Sequence, residues 1–435
     1  MKKPLALLLC MAFMLLTGCD FITFSVEELL SAPTIADEQS ALYDALIAKT
    51  GRSVNLEYPR TGENKSAFIF ANVDNEPDEE ALVFYSYSSD GNVNMSVLDK
   101  NDKGNWRVTY TVEGDGSSLH QVYINEVGGL VDIIVGYGTE GYSDYSFVMY
   151  RIHDGFLLTL NESDYSVMEI CDLDSDGNVE VVLVDRTGFQ TKVTVIVNSN
   201  GINYNINSAD LTAGVAAVVN HALGKLSDTN NAFFVDVLDE SGFTYTEILY
   251  MTEEGLVCPT SSIFGMRDAT RRQYGYNCVD YDSDGRVEIP LTEAFAGYQN
   301  MGWSDTVFMT NWLDYDAERR SFSRESSSYY DMENGYVFKL PNRWTGLVTA
   351  RENKETGEIV FVKYDSSLTL EEMSPLIAIR AIDSRDSVSE YTDSGYMLMH
   401  ASDYRNYLIK SLAEDNEQLS LTTDEIKNNF HVIKR

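Results

Sequence analysis

The sequence predicts a mainly β protein, a propeller-like array of roughly five to seven four-stranded blades followed by a small α+β domain. Three observations carry that expectation. From about Ser66 the chain alternates short β-rich runs with turn residues, an acidic turn recurs at near-constant spacing, and both patterns stop near Asn334.

The 435-residue chain begins MKKPLALLLCMAFMLLTGCD, with Lys2 and Lys3 ahead of an apolar run. Residues 1–18 read as an export signal, because the run falls short of the roughly 18 to 20 apolar residues of a membrane span. Its ending, Leu16-Thr17-Gly18-Cys19, resembles the bacterial lipobox. That resemblance implies cleavage before Cys19, a diacylglycerol on its thiol, and a mature protein tethered to the extracytoplasmic face of the cell membrane. An ordinary secretory signal with a chance cysteine is the alternative. Residues 19–65 then form a tethered stalk and one short helix, EQSALYDALIAKTG, with Leu42, Leu46 and Ile47 at helical spacing and Gly51 as its stop.

Residues 66–330 carry the β pattern: SAFIFANV, EALVFYSYS, WRVTYTV, VDIIVGYG, YSFVMYRI, VEVVLVD and TKVTVIV, each bounded by turn residues. Asp74, Asp174 and Asp282 occupy one position of a recurring acidic turn, with separations of 100 and 108 residues. Each separation is twice a unit of about 50 residues, the length of one propeller blade. Degenerate copies fall at the midpoints, near Glu126 and Asp228. A meander of unrelated hairpins is the competing arrangement. Beyond residue 331, NGYVFKLP, EIVFVKYDS and PLIAIRAID read as strands, while ASDYRNYLIKSLAEDN and TTDEIKNNFHVI read as helices, the second capped by Thr423. The order of strands then helices in residues 331–435 is similar to the small PsbP-like sandwich domains.

The acidic turns carry the chemistry. DLDSDGNVE (172–180) and DYDSDGRVE (280–288) share acids at positions 1, 3, 5 and 9 and glycine at 6. Calcium takes about six to eight oxygen ligands, which alternate acids on a tight turn aim at one centre. An EF-hand closes with Glu at position 12, where this chain has Leu183 and Leu291. The pattern instead resembles the FG-GAP or VCBS repeat of integrin-type propellers. By position, that resemblance implies side-chain ligation by Asp172, Asp174 and Asp176, a backbone carbonyl from Asn178, and a closing carboxylate from Glu180. In the second turn the same roles fall to Asp280, Asp282, Asp284, Arg286 through its backbone, and Glu288. The closing residue is Glu where the family more often has Asp. A weaker turn holds Asn72, Asp74, Glu76 and Glu80, with Pro77 where glycine belongs.

Other chemistries lack support. Net charge is −36, a field that repels nucleic acid and attracts cations. For most of the acids, solubility is sufficient explanation. Cys171, Cys258 and Cys278 show no zinc spacing and read as small buried hydrophobes, although a bridge between two of them is compatible with export. GYGTEG (136–141) matches a dinucleotide fingerprint but is followed by a strand, so it reads as a hairpin turn. No HExxH or GxSxG occurs. The segment AFAGYQNMGWSDTVFMTNW is the richest in aromatics and reads as a candidate exposed recognition loop.

These features point to a calcium-stabilised binding or scaffold module that recognises a protein or carbohydrate without catalysis of its own. A glycan hydrolase or lyase on the same scaffold is the alternative.

Overall fold

The computed structural model describes residues 37–88, 91–139, 145–187, 190–198, 201, 204–227, 230–414 and 417–433. The export signal, Cys19 and Asp228 lie outside the described residues.

Continuous apolar strands need cover on both faces, and the chain supplies it by stacking sheets. The first sheet contains Asn55–Leu56, Phe68–Ala71, Glu80–Ser86, Asn94–Lys100 and Trp106–Glu113. Three antiparallel meanders follow. One runs from Ser118–Val127 to Phe156–Tyr165, the next from Val167–Cys171 to Tyr204–Asp210, and the third from Val215–Ser227 to Gly255–Val257 with Arg272–Gln273 added at its side. The fifth sheet comprises Ile289–Ala294, Phe308–Asp316, Ser321–Asp331 and Tyr336–Lys339, and the C-terminal strand Phe430–Val432 returns to pair with Tyr336–Lys339. The sixth sheet spans residues 348–411 in five strands. All of these pairings are antiparallel, so the mainly β, blade-like expectation holds.

Residue alternation within each central strand shows how the sheets stack. In Glu180–Thr187, Val181 and Leu183 face a core shared with the second sheet, whereas Val182 and Val184 face a core shared with the fourth. Phe233 and Val235 face back to the third sheet, and Phe234 faces forward to the fifth. Phe338 and Phe361 meet in the core between the fifth and sixth sheets. Period-two side-chain alternation therefore sends every second residue to a different neighbour.

The first sheet ends this series differently. One of its faces joins the second sheet through Leu82, Phe84 and Val97. The other, Ala81, Val83, Tyr85 and Leu98, is covered by the helix Asp37–Thr50 through fully buried Leu42 and Leu46. Gly51 follows with φ +70°, the left-handed stop expected for that helix.

Two sequence expectations change, and a third changes in part. ASDYRNYLIKSLAEDN, read as a helix, contains the strand Arg405–Ser411, paired with Pro375–Asp383 on one side and Met397–Ala401 on the other. Its consecutive residues Tyr407, Leu408 and Ile409 are all buried, as a central strand with two covered faces requires. The final helix, Thr423–Asn429, is capped by Thr422 rather than Thr423. Thr422 and Glu425 exchange side-chain and backbone hydrogen bonds in a capping box. The aromatic segment 294–312 is interior at its two ends and exposed between them: Phe295, Tyr298, Val307 and Trp312 are buried, residues 299–302, 304 and 305 are exposed, and Tyr298 Oη donates to the Ala350 carbonyl at 2.9 Å. That segment bonds the fifth sheet to the sixth. The boundary drawn at residue 331 passes between Ser321–Asp331 and Tyr336–Lys339, which are paired strands. Cys171, Cys258 and Cys278 are buried and free.

Replacing Leu46 with Ala is expected to lower unfolding stability by about 2 to 5 kcal/mol, because it opens a cavity under the first sheet. Urea denaturation measures this, and unchanged stability would show that the helix is not the cover of that face.

Candidate metal centres

Each acidic turn leads directly into a buried strand, and the closing glutamate stands at that junction. Glu80 and Glu180 are the first residues of their strands, and Glu288 immediately precedes Ile289–Ala294. All three carboxylates are buried, and each accepts a backbone hydrogen bond from position 2 of its turn. The distances are 2.9 Å from Val73, 2.7 Å from Leu173 and 3.3 Å from Tyr281. One oxygen of Glu80 and one of Glu180 have no hydrogen-bond partner.

Burial pushes the Glu180 and Glu80 carboxyls up to about 7 and Glu288 up to about 9, with repulsion from Asp174, Asp74 and Asp282 respectively adding to the effect. Burial, then Asp176 and Asp172, also raises the Asp174 carboxyl. Without a cation these sites are costly to ionise.

The turns are built by their own backbones. Asp172 accepts from the Asp176 and Gly177 amides, both at 3.1 Å, and Asp280 accepts from Asp284 and Gly285 at 3.1 and 2.9 Å. Ser175 and Ser283 have φ near +62° and +63°, and Gly177 and Gly285 have φ +91°, where an L side chain is strained. The invariant spacing of acids and glycine is thus a backbone requirement as well as a ligand pattern.

Asp172, Asp174 and Glu180 offer oxygens that all lie within 4.8 Å of one another, and so do Asp280, Asp282 and Glu288. Two ligands on opposite sides of one calcium, each at about 2.4 Å, are at most about 4.8 Å apart, so both groups fit a single ion. The orphaned Glu180 oxygen supports the same fit, since a buried carboxylate oxygen otherwise needs a donor. A hard divalent cation suits an all-carboxylate set. Asp176 and Asp284 are placed otherwise: their Oδ1 atoms accept from the Asn178 and Arg286 amides at 2.7 and 2.8 Å, and neither belongs to the converging group.

In the first turn, Asn72 stands where the others have aspartate, and its Nδ2 donates to the Glu76 carbonyl. Asn75 shares the positive φ, at +67°, but Pro77 cannot adopt the glycine conformation at position 6. Among the described residues, no three carboxylates converge there. At the degenerate midpoint, Glu126 is exposed beside a Gly128-Gly129 hairpin, and no turn of the acidic type forms.

These turns also bridge sheets. The Asn231 amide donates to the Asp172 carbonyl at 2.7 Å, and the Lys225 amide donates to the Gly285 carbonyl at 2.8 Å. Both contacts join an acidic turn to the fourth sheet.

Two buried ion pairs lie outside the acidic turns. Arg151 meets Asp132 at 2.7 Å, and Tyr204 donates to the same carboxylate at 2.8 Å. Arg272 and Asp236 pair with neither side chain exposed. A lone acid inside an apolar run, VDIIV or FFVDV, was the available signal. A groove of about 520 Å³ crosses the first strands of the second to fourth sheets, lined by His120, Gln121, Tyr145, Met168, Glu169 and His221. His120 stacks on Tyr145 with centroids 3.8 Å apart, and His221 meets Glu169 at 3.2 Å.

Neither a family model nor a curated protein matches the chain. Among solved structures it matches the crystal structure of exotype rhamnogalacturonan lyase YesX, with 13% identity and a TM-score of 0.23, over 70% of this chain and 61% of that one. The chain thus spans less than two thirds of that lyase, and at this TM-score the likeness carries no argument.

The closing glutamates set a pH dependence. In the folded, metal-free protein Glu180 holds its proton up to about pH 7, whereas unfolded it ionises near its ordinary 4.5. Metal-free stability therefore falls as pH rises from about 4.5 to about 7, and a divalent cation bound to the ionised form would offset that loss. The rise in melting temperature on adding calcium is expected to be larger near pH 8 than near pH 5, as read by differential scanning calorimetry. Equal rises at both values would contradict ligation by these carboxylates.

Proposed function

We propose that this chain is a lipid-anchored, extracytoplasmic binding or scaffold protein whose stacked sheets are locked by calcium at residues 172–180 and 280–288. The convergence of Asp172, Asp174 and Glu180 around an orphaned, fully buried carboxylate oxygen carries the reading. All of these ligands come from one turn. An ion there neutralises clustered acids and fixes the entry to a buried strand, which is a structural role. A catalytic metal keeps a position open to substrate and usually gathers ligands from several segments.

FG-GAP or VCBS-like turns and the Cys19 anchor belong to the same proposal. Among the described residues, no helix is long and apolar enough to cross a membrane. The groove beside His120 and Tyr145 is the place for a ligand. Its stacked ring pair, amide and hydroxyl groups suit a neutral carbohydrate or a peptide, and the acidic field disfavours anions. A glycan hydrolase or lyase is the second reading, resting on the contact of His221 with Glu169 in that groove.

Chelation with EDTA is expected to lower the melting temperature, and the double change Asp174→Ala with Asp282→Ala should remove that sensitivity. A melting curve indifferent to EDTA would count against calcium. Changing Cys19→Ala should move the protein from the membrane to the soluble fraction of producing cells, and persistent membrane association would refute the lipid anchor. If Glu169→Gln abolished turnover of a glycan that the protein cleaves, the enzymatic reading would displace the binding one.

A further inference from the structure

The two converging carboxylate groups have different surroundings. Around residues 172–180, among the described residues, no lysine or arginine forms an ion pair with Asp172, Asp174, Asp176 or Glu180. The turn at residues 280–288 is ringed by cations. Lys339, on the fourth strand of the fifth sheet, places its Nζ 3.5 Å from Asp282 and 3.2 Å from Glu325, with only 30% of its side chain exposed. The Lys225 side chain packs over Gly285, its Nζ 3.8 Å from where a Cβ would sit. Arg286, inside the turn, pairs with Asp314 at 3.1 Å.

We infer that Lys339 is a tethered cation competing with calcium for the turn at residues 280–288, so that the protein has one tight site and one weak, adjustable site. The inference rests on the calcium reading above. Lys339 meets Asp282 Oδ2 while Oδ1 is buried without a hydrogen-bond partner, so the ammonium and the ion draw on one carboxylate and repel each other across it. With calcium bound, Lys339 keeps Glu325 as its partner and surrenders Asp282. Among the described residues the first turn has no such internal occupant, so its carboxylates draw their neutralising cation from solution. The weak site would fill only when external calcium is high, and Lys339 sits on the strand that pairs with the C-terminal segment Phe430–Val432.

The two sites can be separated. Tyr281 stacks on Trp312 with centroids 4.5 Å apart, so terbium bound at 280–288 is sensitised by that pair, whereas the equivalent position in the first turn is Leu173. Calcium affinity is measured by calorimetry on Asp282→Ala, which retains the first turn, and on Asp174→Ala, which retains the second, with terbium emission confirming which turn is filled. The Asp282→Ala protein is expected to bind more tightly. Adding Lys339→Met or Lys339→Gln to Asp174→Ala should tighten calcium on the order of tenfold, since a like charge is removed from a partly shielded site. Lys103→Met, an equal change in net charge at an exposed turn, should not. Equal affinities for the two single-turn proteins, or no tightening in either Lys339 variant, would overturn the inference and leave calcium binding intact. Absence of calcium binding in both single-turn proteins would overturn the inference together with the calcium reading.

Discussion

A carboxylate placed at the mouth of a buried strand must find positive charge or keep its proton. This constraint organises the molecule. Glu80, Glu180 and Glu288 each close an acidic turn where a strand begins, and each accepts from backbone amides of its own turn, one for Glu80 and for Glu288 and two for Glu180. Such amides leave one oxygen of Glu80 and one of Glu180 without a partner, and a buried carboxylate costs several kcal/mol to desolvate unless it is paired or neutralised. Where aspartates stand at positions 1 and 3, the turn is shaped to take a cation; where Asn72 stands, an internal amide contact replaces part of that demand.

The same residues connect local chemistry to global architecture. Strands such as Glu180–Thr187 alternate between two cores, so an error in register at their first residue would misplace every side chain in both. A turn held rigid by backbone hydrogen bonds sets that register, and its contacts to Asn231 and Lys225 tie it to the neighbouring sheet. The helix Asp37–Thr50 solves a different problem, the exposed apolar face at the start of the stack. Buried pairs of Arg151 with Asp132 and Arg272 with Asp236 add polar fixtures to the second and fourth sheets, in which no acidic turn converges among the described residues.

Much of this was legible in the sequence, because the signals were local. The nine-residue frames at 172 and 280 announced both their turns and their carboxylate clusters, and the leucine spacing of 42 and 46 announced the first helix. Features set by distant partners were not legible. Residues 407–409 became a central strand only because strands on both sides cover them, although the flanking polar residues mimic a helix. Phe295 and Tyr298 looked like part of a recognition surface, but their partners, Ala350 and the sixth-sheet core, lie about fifty residues away. Asp176 and Asp284 match the ligand pattern as residue types, yet the backbone claims their Oδ1 atoms. Lys339 gave no signal at all, since nothing in its neighbourhood marks it as a neighbour of Asp282.

The most direct measurement is a crystal structure of the protein grown with calcium, with anomalous scattering used to locate the ion. The account requires a calcium peak bonded at about 2.4 Å to Asp172, Asp174 and Glu180. A well-ordered turn at saturating calcium, with no anomalous peak and the Glu180 carboxyl bonded to water or to another side chain, would contradict it.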